Sequence, residues 1–214
     1  MIELFGHPFS SYTWKALIAL YETDTPFRFR NIAGNEHPEN EAAFLAHWPV
    51  GKFPLLVDDG VPVMESSVIV EHVAPDLIPA DREDARETRM LDRIFDNHVM
   101  APVQAVIAEH LPFVTPTADA ARIERARGAL DKAYRWLDAR LAGRAWAAGD
   151  AFTLADCAGA PALFYADWTH PIGDGFAALK AYRARALARP SVARCVEEAR
   201  PYRPLFPLGA PDRD

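Results

Sequence analysis

The chain has 214 residues, half of them hydrophobic, and a net charge of −7. That length buries a substantial core and exceeds a typical single domain, and no apolar run approaches the length of a membrane-spanning helix. Residues 1–80 hold 4 Lys/Arg and 11 Asp/Glu while residues 81–214 hold 19 of each, so the imbalance lies in the first part and nucleic acid is a poor candidate partner.

Ile2 to Phe5 reads as a short buried strand. Met1 to Phe5 has no basic flank and no long apolar core, which predicts neither a signal nor a transit peptide. Trp14, Leu17, Ile18 and Tyr21 follow at helical spacing, and Phe27 and Phe29 alternate with Arg28 and Arg30 as a half-buried strand. Pro38 to Trp48 reads as a weaker helix with Phe44, Leu45 and Trp48 inward. Gly51 to Val57, the turn Asp58-Asp59-Gly60 and Val61 to Met64 predict a hairpin, and Glu65-Ser66-Ser67 opens another helix. The order strand-helix-strand-helix-strand-strand-helix, with a parallel pair and an antiparallel hairpin, predicts an α/β thioredoxin-like domain over residues 1–79. Phe53-Pro54 at the strand entry is expected to be a cis bond.

From residue 80 to 214 the pattern is all-helical, over 82–111, 118–141, 154–168, 176–188 and 191–200. Ile123, Leu130, Tyr134, Leu137 and Leu141 form one apolar stripe, and Pro102 and Pro161 predict a kink or a changed helix start. Thr153-Leu154-Ala155-Asp156 is a helix start in which Thr153 caps and Asp156 reaches back, a contact worth about 0.5–2 kcal/mol. The two cysteines, Cys157 and Cys195, lie on apolar helical stretches, which argues for a reduced, cytoplasmic setting and against a disulfide framework or zinc site. His98 and His110 match no metal-ligand spacing, so no metal is expected.

Phe53-Pro54 with Glu65-Ser66 resembles the glutathione-binding signature of the cytosolic glutathione transferases. Ala148-Gly149-Asp150 with Thr153-Leu154-Ala155-Asp156 resembles the buried capping motif of that family's helical domain, and Arg189-Pro190-Ser191-Val192 precedes the last helix as it does there. Ser10-Ser11-Tyr12-Thr13-Trp14-Lys15-Ala16-Leu17-Ile18-Ala19-Leu20 is similar to the serine-type zeta-class pattern Ser-Ser-Cys-x-Trp-Arg-Val-Arg-Ile-Ala-Leu, with Tyr12 in place of the cysteine and Ala16-Leu17 in place of Val-Arg. The resemblance implies the transferase fold, with an electrophile pocket supplied by the helical domain, and a glutathione co-substrate.

It further implies that Ser66 and the backbone after Glu65 hold the γ-glutamyl carboxylate, that Glu65 faces the ammonium group, and that the Phe53 backbone pairs with the cysteinyl part. Read alone, Ser66 suits a helix N-cap better than a ligand contact, and it is the pairing with Phe53-Pro54 that favours the ligand; Lys52 is either a partner of the glycyl carboxylate or a solvated lysine. Ser10, Ser11 and Tyr12 are the candidate activators of the sulfur, in that order, although Ser10 or Ser11 also suits a simple helix cap. Phe9, Phe95, Met100, Gln104, Tyr165 and Trp168 are the candidate lining of a pocket for a small hydrophobic electrophile. The implied reaction is thiolate attack in a homodimeric detoxification enzyme. Glutathione-dependent disulfide or peroxide reduction, isomerisation, or a non-catalytic binding role on the same fold remain the alternatives.

Overall fold

A computed structural model describes residues 1–34 and 37–214. The first part contains β1 (Ile2–Gly6), α1 (Ser11–Glu22), β2 (Phe27–Asn31), α2 (Pro38–His47), β3 (Leu55–Asp58), β4 (Val61–Met64) and α3 (Ser66–Val73). The sheet order is β2-β1-β3-β4, with β1 parallel to β2 and antiparallel to β3, and with β3 antiparallel to β4. Because strand side chains alternate, Leu4 and Leu56 face α1 and α3 with Trp14 and Ile69, while Phe5, Leu55 and Val57 face Phe44 of α2. Phe44 and Asn40, one turn apart, are the buried residues of α2; Leu45, expected inward, is exposed, and Trp48 only partly covered, because this short helix turns one narrow stripe to the sheet. The Phe53–Pro54 bond is cis.

A 3-10 turn (Pro75–Leu77) leads to α4 (Arg82–Ile94), which continues through a π-helical segment (Phe95–Met100) into α5 (Ala101–Glu109). The Ala101 N–H bonds to the Asp96 carbonyl, one residue farther back than in an α-helix, and this wide turn immediately precedes Pro102. Helices α6 (Ala120–Leu141), α7 (Leu154–Thr169), α8 (Ala177–Leu187) and α9 (Pro190–Ala199) follow, and a 3-10 turn (Arg200–Leu205) ends the ordered elements. No helix among the described residues is long and apolar enough to cross a membrane.

Helix α7 is the centre of the helical part: it runs on through Pro161, and every residue of it except Asp167 is buried. It packs against α1, α4, the π-helical segment and α8. Gly159 makes the closest approach possible, since a Cβ there would lie 2.7 Å from the Tyr182 hydroxyl and 2.9 Å from the Phe95 ring. Arg189 joins the two parts at their far end, with its guanidinium 4.0 Å over the Phe152 ring and its Nε donating to Glu22 of α1 at 2.7 Å.

The Thr153–Asp156 capping box is present, but Asp156 does more than cap. Its fully buried carboxylate accepts from the Thr153 N–H at 2.9 Å, the Ala147 N–H at 2.9 Å and the Tyr182 hydroxyl at 2.7 Å. Substitution Asp156→Ala leaves several buried donors unpaired, so the expected destabilisation is about 2–5 kcal/mol, beyond that of a lost cap. Urea unfolding of the two proteins checks this, and a loss under about 1 kcal/mol contradicts it.

Candidate functional site

The loop from β1 to α1 is held from several sides. The Ser10 N–H bonds to the His7 carbonyl at 3.0 Å, the Trp14 indole donates to the Pro8 carbonyl at 2.7 Å, and the Tyr165 hydroxyl donates to the Phe9 carbonyl at 2.9 Å. Ser10 is the N-cap of α1, and its hydroxyl oxygen accepts from the Thr13 N–H at 3.3 Å. A hydroxyl that accepts through oxygen keeps its own proton to donate, so capping and ligand contact are compatible in one side chain.

Across the cleft, Glu65 precedes α3 with φ of 69°, in the left-handed region that a non-glycine residue enters at a cost. Ser66 is then the first helical residue rather than the N-cap, and no side chain caps this helix. The free N–H groups of its first turn stand at the cleft with the positive end of the helix dipole.

Two cavities meet here. A polar one of about 510 Å³ is lined by Tyr12, Lys52, Phe53, Pro54, Glu65 and Ser66, with Arg93, Asp96 and Asn97 from the helical part on its far wall. An apolar one of about 550 Å³ is lined by Phe9, Ser11, Met100, Tyr165 and Phe206, with Phe113 and Leu205 at its rim. Ser10, Phe53 and Gln104 line both. The three candidate hydroxyls are therefore separated: Ser11 faces the apolar cavity, Tyr12 the polar one, and Ser10 stands at the junction. Burial, with the Asp96 charge adding to it, pushes the Tyr12 phenol up to about 12, so it remains protonated at neutral pH.

Two residues expected in the apolar cavity are elsewhere. Phe95 is fully buried, stacked on Tyr182 at 6.3 Å and 13° and held against Gly159, because its place on the π-helical segment turns it toward α7. Trp168 lies behind the wall, 6.2 Å from the Phe9 ring and 5.3 Å from the Phe206 ring. Phe113, Leu205, Phe206 and Pro207 of this cavity come from loops and turns, where no periodicity marks them.

The polar cavity is backed by an ion cluster that the sequence did not reveal. Lys15 of α1, 1% exposed, contacts Asp92 and donates to Asp96 at 2.9 Å and to the Ser67 hydroxyl at 2.8 Å. Arg93 pairs with the same two aspartates, at 2.6 and 2.7 Å. Cys157 and Cys195 are free and fully buried, and burial pushes both thiols up, so neither is a nucleophile at this cleft. His98 and His110 are exposed, and among the described residues no group of His, Cys, Asp or Glu is arranged to hold a metal ion.

The family description "Glutathione S-transferase, N-terminal domain" matches residues 4–75, and "Glutathione S-transferase, C-terminal domain" matches residues 96–190. Glutathione S-transferase GstB of Escherichia coli (strain K12) is 32% identical over 176 residues, covering 77% of this chain and 82% of that protein. Glutathione S-transferase F7 of Arabidopsis thaliana is 28% identical over 174 residues, covering 77% and 83%. A glutathione S-transferase from Methylobacillus flagellatus KT, crystallised with GSH bound, shares the fold with a TM-score of 0.79 at 24% identity, over 91% of this chain and 98% of that one.

Proposed function

Because the chain belongs to the glutathione S-transferase family, we propose that it is an enzyme that binds glutathione in the polar cavity and presents the thiolate to a small hydrophobic electrophile in the apolar one. The observation that carries this reading is the junction: a hydroxyl with a proton to give, Ser10, lines both cavities at the mouth of α1. Residues 1–79 then form the glutathione-binding domain and residues 80–214 contribute the acceptor pocket. Two buried, unpaired cysteines suit a reducing, cytoplasmic setting.

In this reading the N-terminus of α3 and the Ser66 hydroxyl hold the γ-glutamyl carboxylate, where free N–H groups and the helix dipole favour an anion. Glu65 faces the ammonium group, the Phe53 backbone pairs with the cysteinyl part, and Lys52 meets the glycyl carboxylate. Ser10 donates to the sulfur. A free thiol with a pKa near 8.5 is only about 3% thiolate at pH 7, and lowering it by about two units takes roughly 2.7 kcal/mol. One hydrogen bond to a charged group, about 1.5–3 kcal/mol, and a helix N-terminus, about 0.3–1 kcal/mol, supply that. The thiolate fraction rises about 25-fold, but the weaker nucleophile returns about 8-fold of it, so activation nets about threefold. Positioning beside the acceptor supplies the rest.

We also propose that two copies pair. Val61 of β4, Val68 of α3, Met90 of α4 and Trp136 of α6 are large apolar side chains left exposed. Paired about a two-fold axis, the commonest arrangement, such residues are removed from water. Light scattering should give twice the 23.7 kDa chain mass at micromolar concentration; the single-chain mass throughout a dilution series overturns the dimer.

Two substitutions divide binding from activation. Ser66→Ala is expected to weaken glutathione about 10- to 100-fold in calorimetry, by loss of a charge-assisted hydrogen bond. Ser10→Ala is expected to raise the pKa of the bound thiol, read from thiolate absorbance, with a smaller loss of affinity. If that titration is unmoved by Ser10→Ala but moves with Ser11→Ala or Tyr12→Phe, Ser10 is not the activator. Profiling turnover with electrophiles, disulfides and peroxides tests transfer against glutathione-dependent reduction.

A further inference from the structure

The apolar cavity contains one imidazole that the reading above leaves without a task. His7 lies between β1 and α1, half-buried, on the cavity wall beside Phe9, Ser10 and Phe53. Its Nδ1 accepts the Phe9 N–H at 3.0 Å. A nitrogen that accepts carries no proton, so the neutral ring has its proton on Nε2. Burial lowers the basicity of the ring below the ordinary histidine value, which keeps it neutral at pH 7.

The ring is also clamped. It stacks on Phe53 at 6.3 Å and 27° and meets the edge of Tyr202 at 5.6 Å and 65°. Tyr202 is itself held by the Asn31 amide, which donates to its hydroxyl at 3.0 Å. Among the described residues Nε2 has no hydrogen-bond partner, whereas the Tyr165 hydroxyl in the same cavity is already given to the Phe9 carbonyl at 2.9 Å. A neutral N–H on the wall of the apolar cavity, in the loop that carries Ser10, is a donor on a ring already held between Phe53 and Tyr202 before any acceptor arrives.

We propose that His7 donates from Nε2 to an acceptor-substrate oxygen that gains negative charge as the sulfur adds, so that the site prefers conjugated carbonyl compounds to alkyl or benzyl halides. This rests on the transferase reading and adds a residue and an acceptor class to it. The thiolate sulfur forms a bond to the β-carbon, and the carbon–carbon π pair moves to give an enolate with its charge on the carbonyl oxygen. His7 holds that oxygen and keeps its proton. Water then protonates the α-carbon, and the hydroxide left takes up the proton that the thiol released. In halide displacement the charge departs on the side away from the sulfur, where a donor beside the sulfur gives little.

The test uses two variants and two acceptors, an α,β-unsaturated ketone and a benzyl halide of similar size. His7→Asn keeps an acceptor oxygen near Nδ1 and removes the donor at Nε2; His7→Gln keeps an amide N–H near Nε2. His7→Asn is expected to lower kcat/KM for the ketone by about 100-fold and for the halide by less than about threefold, with His7→Gln retaining ketone turnover to within about tenfold of the unmodified enzyme. Equal losses on both acceptors, no loss on either, or a His7→Gln as impaired on the ketone as His7→Asn, overturns the role of His7. Absence of glutathione-dependent turnover of either acceptor by the unmodified protein overturns the transferase reading itself.

Discussion

The cleft depends on a buried ammonium group. Lys15 enters the interface from α1 and meets Asp92 of α4, Asp96 of the π-helical segment and Ser67 of α3, so one side chain ties together three elements that border the site. Taking such charges out of water is expensive, and the mutual attraction repays it only where the geometry is good and the remaining lone pairs are satisfied. Here Arg93 and the Ser67 hydroxyl, which donates to Asp92 at 2.9 Å, share the two carboxylates with Lys15. Apolar residues of the same volume can give similar stability, so what distinguishes the cluster is that its contacts join α1, α3, α4 and the π-helical segment. Ser66 is adjacent to Ser67, Arg93 and Asp96 line the polar cavity, and Met100 lies on the apolar one. A shift of α4 against α1 moves both cavities at once.

Helix α7 conveys the same constraint from the interior. Its start is fixed by the Asp156 carboxylate, its middle is drawn against Phe95 and Tyr182 at Gly159, and farther along Tyr165 holds the carbonyl of Phe9. A motif that reads as a helix cap thus ends by positioning the loop that carries Ser10. The contact between Tyr165 and Phe9 spans the two parts of the chain, and their rings also meet edge-on at 5.3 Å.

The parts of this arrangement that were legible in the sequence are those made locally. Alternation and helical spacing gave the elements of the α/β part in order, and Phe53-Pro54 and Glu65-Ser66 fall on one cavity because a single hairpin separates them. The cluster around Lys15 was hidden because its partners are far away along the chain and charges on helical faces ordinarily face water. Phe95 and Trp168 carry the same periodic signal as any core aromatic, and the signal does not tell which side of a cavity wall a ring occupies. Leu45 failed for the opposite reason, since an apolar residue in a short helix is free to remain exposed. Phe206 and Pro207 belong to a turn and a tail, where only the folded chain decides what they cover.

Ser10 is both the N-cap of α1 and a lining residue of both cavities. Its oxygen accepts from Thr13 at 3.3 Å, at the long end of the hydrogen-bond range, so the cap is a weak one and its loss belongs toward the low end of about 0.5–2 kcal/mol. The hydroxyl proton is not used by the cap, and Ser10 stands at the positive end of α1. In the proposed reading, a negative sulfur at the junction of the two cavities would meet a donor and a dipole from a single element, α1, which Lys15 holds on one side and α7 on the other. On that reading the fold would give the sulfur only a modest change in ionisation, and its larger contribution would be a fixed distance between the sulfur and whatever the apolar cavity holds.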